Sequence, residues 1–290
     1  MYLCSPLTRL PESIGQLSAL NTLNLNGCTS LTRVPESIGQ LSSLTSLCLC
    51  SCYTLVRLPE SIGQLVSLSS LMMVSCHALT CLPESIGQLT ALTTLDMSWC
   101  FHLTRLPDSL GQLAALSSLD LSHCFQLSVL PDSIGQLAAL TVLNLNECAL
   151  PCLPDTIGQL SALKTLWLDH CEALTCLPES IGRLASLEAL IMIECPLTGL
   201  PDSFGRLTKL TCCKLEYCWS LPGSDALWAA YVADANEQFA TFRQRLLLLV
   251  MLGRRRRALR LPPEIWHLVH EALWQSQPER RRGFGHDHCD

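Results

Sequence analysis

Positive charge is scarce in this chain: 19 lysines and arginines stand against 25 aspartates and glutamates in 290 residues, a net charge of −6. A phosphate backbone needs a basic face, so nucleic acid is excluded as the expected partner. Long apolar runs are missing as well. The run "LLLLVML" at Leu246–Leu252 falls far short of the roughly 20 residues a membrane-spanning helix requires. No charged segment leading into an apolar core stands at the amino end, and the expectation is a soluble, cytoplasmic protein, with the nucleus as a second compartment. Catalytic signatures are absent too: no glycine-rich phosphate loop, His-Glu-x-x-His helix or G-x-S-x-G elbow occurs. The histidines and hydroxyls that exist fall at interchangeable positions of a repeat, so neither an enzyme nor a cofactor is expected.

What the chain has in abundance is that repeat. "LPESIGQL" stands at Leu10–Leu17 and returns unchanged at Leu58–Leu65 and Leu82–Leu89. The prolines of this motif fall at 11, 35, 59, 83, 107, 131, 154, 178 and 201, in steps of 24 or 23 residues. A fixed period of this length marks a stacked-repeat architecture. Nine units of the line L-P-[ED]-S-I-G-Q-L-x-x-L-x-x-L-x-L-x-x-C-x-x-L-x-x cover residues 10–219, after a partial repeat at 1–9. The shorter steps lose one residue after Cys148 and after Cys195, where a loop absorbs a deletion.

Each unit divides in two. The stretch x-L-x-L-x alternates with period two, as a strand with one buried face does; in the fourth unit the inward set is Leu92, Leu95, Met97 and Cys100. The stretch P-E-S-I-G-Q-L predicts a short helical turn, with proline where a first-turn N–H has no partner and a carboxylate that complements the positive helix end. The glycine suits a tight, crowded or left-handed backbone position. One unit cannot bury its own leucines, so neighbours must stack on it, strand beside parallel strand about 4.8 Å apart. The predicted fold is α/β: a right-handed, curved solenoid with a parallel sheet on its concave face and helical turns on its convex face.

The line resembles the leucine-rich repeat, L-x-x-L-x-L-x-x-[NC]-x-L, in the intracellular L-P-x-S-I-G-x-L variety of plant nucleotide-binding disease-resistance proteins and of SHOC-type Ras-group scaffolds. That resemblance implies a recognition module in immune-type or Ras-type signalling. The chain departs from those relatives in carrying no nucleotide-binding loop, Toll-type or kinase segment. In the resembled family the Asn/Cys position forms a ladder whose side chains satisfy loop carbonyls. Here it is filled by Cys4, Cys28, Cys52, Cys76, Cys100, Cys124, Cys148, Cys171, Cys195 and Cys218. These read as reduced structural thiols, since a thiol there behaves as a small buried group with a weak donor. Cys48, Cys50 and Cys52 alternate in "CLCSC" along what reads as one strand. As a metal pair they lack a second pair and the usual spacing, and no metal site is expected.

The residues between the strand leucines face the concave surface. Early units place small neutral residues there; later ones interleave carboxylates with aromatics, a composition that suits a protein-binding hot spot. The predicted contact residues are Asp96, Trp99, Asp120, His123, Glu147, Trp167, Asp169, His170 and Tyr217. Residues 1–219 hold 17 acids and 9 bases, so the expected partner is a protein with a basic surface, bound by a monomer or within a larger complex. The acids at Glu12, Glu36, Asp108 and their equivalents recur identically, which is helix-end electrostatics rather than catalysis.

Two further readings concern the ends. Cys4, Leu7 and Leu10 already lie inside a repeat, which suggests a piece of a longer product or an end that docks. After Pro222 the register is lost, and residues 220–290 read as a helical cap with a basic tail. Ser224 or Asp225 starts one helix and Gly253 stops it; "RRRR" at Arg254–Arg257 reads as a solvated linker, with a nuclear address as the alternative. "LPPEIWHLV" at Leu261–Val269 is similar to the opening of F-box motifs. That similarity implies an alternative function, a substrate adaptor of a ubiquitin ligase, although the segment is shorter than the full motif.

Overall fold

The computed structural model describes residues 7–215 and 218. The predicted cap, the basic run and the F-box-like segment lie outside the described residues, as do Cys4 and Tyr217. Among the described residues nine three-residue strands follow one another: β1 Thr22–Asn24, β2 Ser46–Cys48, β3 Ser70–Met72, β4 Thr94–Asp96, β5 Ser118–Asp120, β6 Val142–Asn144, β7 Thr165–Trp167, β8 Ala189–Ile191 and β9 Cys212–Lys214. They form one curved, open parallel sheet in chain order. Register is strict: Leu47 pairs with Leu71, Leu71 with Leu95 and Leu95 with Leu119, so every side chain sits beside its own repeat equivalent.

The alternation that predicts the strands also sorts their faces. In each of β2 to β9 the central residue is buried and its two neighbours are half-exposed. Stacking does the burying: Leu20 and Leu23 remain half-exposed in the first unit, whereas Leu44 and Leu47, at the same positions one unit later, are fully buried. Strand hydrogen bonding runs on past the three strand residues, with Leu49 N–H donating to the Met72 carbonyl at 2.8 Å and Ser51 N–H to that of Val74 at 2.7 Å. Cys48 alone of the "CLCSC" trio belongs to β2; Cys50 and Cys52 lie in the turn that follows, because the backbone bends at Ser51, whose φ is 57°.

The helical turns are 3-10 turns of five residues, Glu12–Gln16 and its equivalents through Asp202–Arg206. Proline stands one place earlier than expected: Pro11 is the cap, in an extended conformation, and its carbonyl accepts from Ile14 N–H at 3.1 Å. The carboxylate beside it serves the next turn rather than its own. Glu12 accepts from Ser37 N–H at 3.2 Å, Glu36 from Ser61 N–H at 3.3 Å and Glu84 from Ser109 N–H at 3.3 Å. Glu179 accepts from both Asp202 and Ser203 N–H at 3.0 Å. The shorter Asp108, Asp132 and Asp155 make no such bond among the described residues. Of the three readings of the glycine, crowding is the one observed: a Cβ on Gly111 would lie 2.4 Å from the Ser133 carbonyl oxygen of the next turn.

Gly111→Ala therefore pushes two turns apart, and we expect a loss of about 1–3 kcal/mol in urea unfolding. Gly199→Ala, where a Cβ meets nothing within 4 Å, should stay within about 0.5 kcal/mol of the parent. A second test uses pH. The Ser203 and Asp202 N–H groups hold the Glu179 carboxyl below its ordinary range, so its contribution is present above the unfolded-state pKa and is lost as pH falls through the folded one. Glu179→Leu should lower the melting temperature at pH 7, and the gap to the parent should close toward pH 2. A gap independent of pH would rule out this role.

Candidate functional site

The exposed ends of the strands and the turns after them form three neighbouring columns, each advancing one residue per repeat. The first is the last residue of each strand: Asp96, Asp120, Asn144 and Trp167 in β4 to β7, all half-exposed. Short polar side chains here fold back on their own turns. Asp96 Oδ1 accepts from Ser98 N–H at 2.9 Å and from its hydroxyl at 2.7 Å, and Asp120 Oδ1 accepts the same pair from Ser122 at 2.9 and 2.6 Å. Asn144 Nδ2 donates to Asp120 Oδ2 at 3.0 Å. Two residues on, Asn146 Oδ1 accepts from Asp169 N–H and Asp169 Oδ1 from Ile193 N–H, each at 2.8 Å. Asp120 and Asp169 therefore carry negative charge at the surface while holding successive turns together.

The second column sits where the chain turns away from the sheet, with a left-handed backbone. Gly27 opens it at φ 77°, followed by Ser51, Ser75, Trp99, His123, Glu147, His170 and Glu194 at φ between 55° and 63°. Each non-glycine residue there costs on the order of 1–2 kcal/mol. Placed at the same position of adjacent turns, their side chains meet. Trp99 stacks on His123 at 3.8 Å between ring centroids; His123 Nδ1 is 3.0 Å from Glu147 Oε2, and His170 Nδ1 is 3.3 Å from Glu194 Oε2. The predicted residues Trp99, His123 and Glu147 thus form one continuous row, and His170 pairs onward with Glu194.

The third column went unnoticed in the sequence. It is the residue directly after the ladder cysteine: Tyr53, His77, Phe101 and Phe125, stacked at centroid distances of 4.7, 4.4 and 5.3 Å. Trp99 meets Phe101 edge-on at 5.9 Å, and His123 meets Phe125 edge-on at 6.0 Å, so the second and third columns form one surface. Burial, aided by neighbouring His102, pushes the His77 imidazole below its ordinary range, which favours the uncharged ring in the stack. The signal was available as the series Y, H, F, F at one repeat position.

Beneath these columns runs the cysteine ladder. Cys76, Cys100, Cys124 and Cys148 donate to the carbonyls of Leu49, Met73, Met97 and Leu121 at 3.2–3.3 Å, each reaching into the preceding turn. Cys52, Cys171, Cys195 and Cys218 do likewise, and Cys28 is buried at the same position. Burial, with Cys28 adding to it, pushes the Cys52 thiol up to about 12, and burial raises Cys218 to about 11. Among the described residues no group of three or more His, Cys, Asp or Glu is arranged to hold a metal ion. No helix among them is long and apolar enough to cross a membrane.

Comparison with known proteins agrees with this geometry. A family model described as "Leucine-rich repeat region" matches residues 2–102, and one described as "Leucine Rich Repeat" matches residues 115–137. The described fold is a leucine-rich-repeat solenoid. This solenoid is similar to the leucine-rich repeat domain of the type III effector XopL, at 29% identity over 76% of this chain and 75% of that one, with a TM-score of 0.67. It is also similar to the ectodomain of the Arabidopsis receptor kinase HAESA in complex with an extended IDA peptide hormone, at 25% identity over 73% of this chain and 38% of that one, with a TM-score of 0.52. No curated protein matches the chain. Leucine-rich-repeat domains are generally non-catalytic protein-interaction modules.

The ladder yields a direct chemical test. Iodoacetamide at pH 8 should label the exposed Cys152 and Cys176 first, while Cys76 to Cys195 of the ladder react only after denaturation, because the thiolate is the nucleophile and burial disfavours it. Peptide mapping by mass spectrometry reads the order. Ladder thiols that label as fast as Cys152 would contradict the packing described.

Proposed function

We propose that this chain is a non-catalytic recognition module that grips a protein partner with a basic surface across the concave end of its sheet. The observation that carries the reading is the strand-end column, which runs Asp96, Asp120, Asn144 and Trp167 on successive strands, with Asp169 two residues beyond Trp167. Carboxylates and an indole share one surface there, and Trp is enriched at hot spots because it supplies large contact area with few rotors. The solved HAESA complex, a repeat ectodomain holding a peptide hormone, supports a solenoid of this kind as a peptide reader. On the strength of the L-P-x-S-I-G-x-L line we place the module in immune-type or Ras-type intracellular signalling. A reducing compartment, the cytoplasm first, suits a core lined with thiols.

The internal hydrogen bonds of Asp120 and Asp169 decide how the test is built. Asparagine keeps the acceptor that Ser122 and Ile193 N–H groups use while removing the charge. The full chain carrying Asp120→Asn, Trp167→Ala and Asp169→Asn should keep the parent's circular dichroism and melting temperature to within a few degrees. Its affinity for the partner, identified by cross-linking and mass spectrometry with the parent chain, should fall about 10- to 30-fold, as hot-spot removal does. Equal affinity for the two chains would remove the strand-end column from the interface.

A further inference from the structure

Residues 7–215 contain six Phe, Trp and Tyr side chains: Tyr53, Trp99, Phe101, Phe125, Trp167 and Phe204. Of these only Phe204 belongs to the core, which is otherwise built of leucine, isoleucine, valine, methionine and cysteine. Four of the other five meet on one flank of the solenoid, where Tyr53, Trp99 and Phe125 are 43%, 41% and 46% exposed. The fold does not require rings there. The same position after the ladder cysteine holds Thr29, Ala149, Glu172 and Pro196 in other units, and those turns form equally well.

A stack of parallel rings hides its inner faces and leaves free only the face at each end. At the Phe125 end the next rung is Ala149, a methyl group in a turn shortened by one residue, and the rung after that is the exposed Glu172. Successive rungs lie about 5 Å apart and alternate rungs about 10 Å. That spacing leaves the depth of about one flat group between the Phe125 rung and the Glu172 rung, with a ring at one end and an exposed acidic residue at the other. Glu147, two residues before Ala149, adds a second carboxylate, of which Oε2 faces His123. No lysine or arginine of residues 7–215 stands on these rungs.

We propose that this gap is an arginine socket: a guanidinium from an extended segment of the protein partner occupies the Ala149 rung, lies flat on Phe125 as a fifth member of the stack, and donates to Glu172 and Glu147. A guanidinium suits the gap where an ammonium does not. It is planar, it stacks on aromatic faces, and its fork of N–H groups matches carboxylates. The three rings behind Phe125 hold that ring in place before binding, so little ordering remains to be done when the partner arrives. The proposal rests on the reading of the chain as a protein-binding module and adds the chemistry of one contact outside the strand-end column.

The test uses the full chain and a labelled, proline-spaced neutral peptide carrying a single arginine, with twins in which citrulline or lysine replaces it. Citrulline keeps the shape and removes the charge; lysine keeps the charge and removes the plane. Fluorescence anisotropy should show the arginine peptide binding at least 10-fold more tightly than either twin. Phe125→Ala and Glu172→Gln should each weaken it about 5- to 10-fold. Ala149→Phe, which fills the rung with a ring of the chain's own, should abolish binding while leaving the melting temperature unchanged or higher, a combination that misfolding cannot mimic. The variant Asp120→Asn, Trp167→Ala, Asp169→Asn should hold the peptide as the parent does, so the strand-end column and the socket fail or survive separately. Citrulline binding equal to arginine, undiminished binding by Ala149→Phe, absence of binding at millimolar peptide, or ring-dependent binding of a neutral oligosaccharide in place of the peptide would each overturn the proposal.

Discussion

The spacing of parallel strands governs everything else in this molecule. Interstrand hydrogen bonds fix neighbouring turns about 4.8 Å apart on the sheet side, and the rest of each turn must live with that distance. On the far side the chain meets it with a five-residue 3-10 turn and a glycine. A Cβ at Gly63, Gly87 or Gly111 would fall 2.4 Å from a carbonyl oxygen of the next turn, so no other residue fits without prying turns apart. Between the two sides the ladder thiols bridge the same step, donating from each turn to a carbonyl of the one before. The glutamates do it again at the surface, each capping the 3-10 turn that follows.

This explains which features could be read in the sequence and which could not. Leucine columns and strand faces are legible because they depend on spacing within one unit: Leu95 and Met97 alternate in the line and are both fully buried in the fold. Interactions between units are hidden, since their partners lie 23 to 27 positions apart. Glu12 looks like a residue serving its own helix end until Ser37, 25 residues on, is seen to donate to it. The same holds for Asp120 and Asp169, whose outward position was evident and whose bonds to Asn144 and Ile193 were not. Tyr53, His77, Phe101 and Phe125 look along the chain like four unrelated residues. Only their identical repeat position, read down the alignment rather than along the chain, makes them a stack.

Strict register also changes what a surface residue costs. Trp99, His123 and Glu147 occupy left-handed backbone positions that glycine fills in the first unit, and each substitution gives up on the order of 1–2 kcal/mol. The turn tolerates this because backbone bonds to neighbouring turns, such as Trp99 N–H to the Ser122 carbonyl and His123 N–H to that of Asn146, determine its path whatever side chain it bears. Strain held in this way points outward, toward the surface rather than the core. Part of it is recovered sideways, where Trp99 rests on His123 and His123 on Glu147.

A scaffold of this kind divides its alphabet. Positions that touch the next turn from inside hold aliphatics, methionine, cysteine, glycine or a small hydroxyl, with Phe204 as the one ring among the described residues, and they are nearly constant across nine units. Positions outside the stack are free to differ, but they cannot differ independently in effect, because each lies one rung from its equivalents. A single ring on such a surface is an isolated apolar contact, whereas four in succession make a rigid wall whose properties reside at its ends. The change from ring to methyl to carboxylate at Phe125, Ala149 and Glu172 is therefore more informative than any one of those residues. The surface chemistry of this molecule is written in the differences between adjacent turns, and the sameness of the turns is what makes those differences fall at fixed distances.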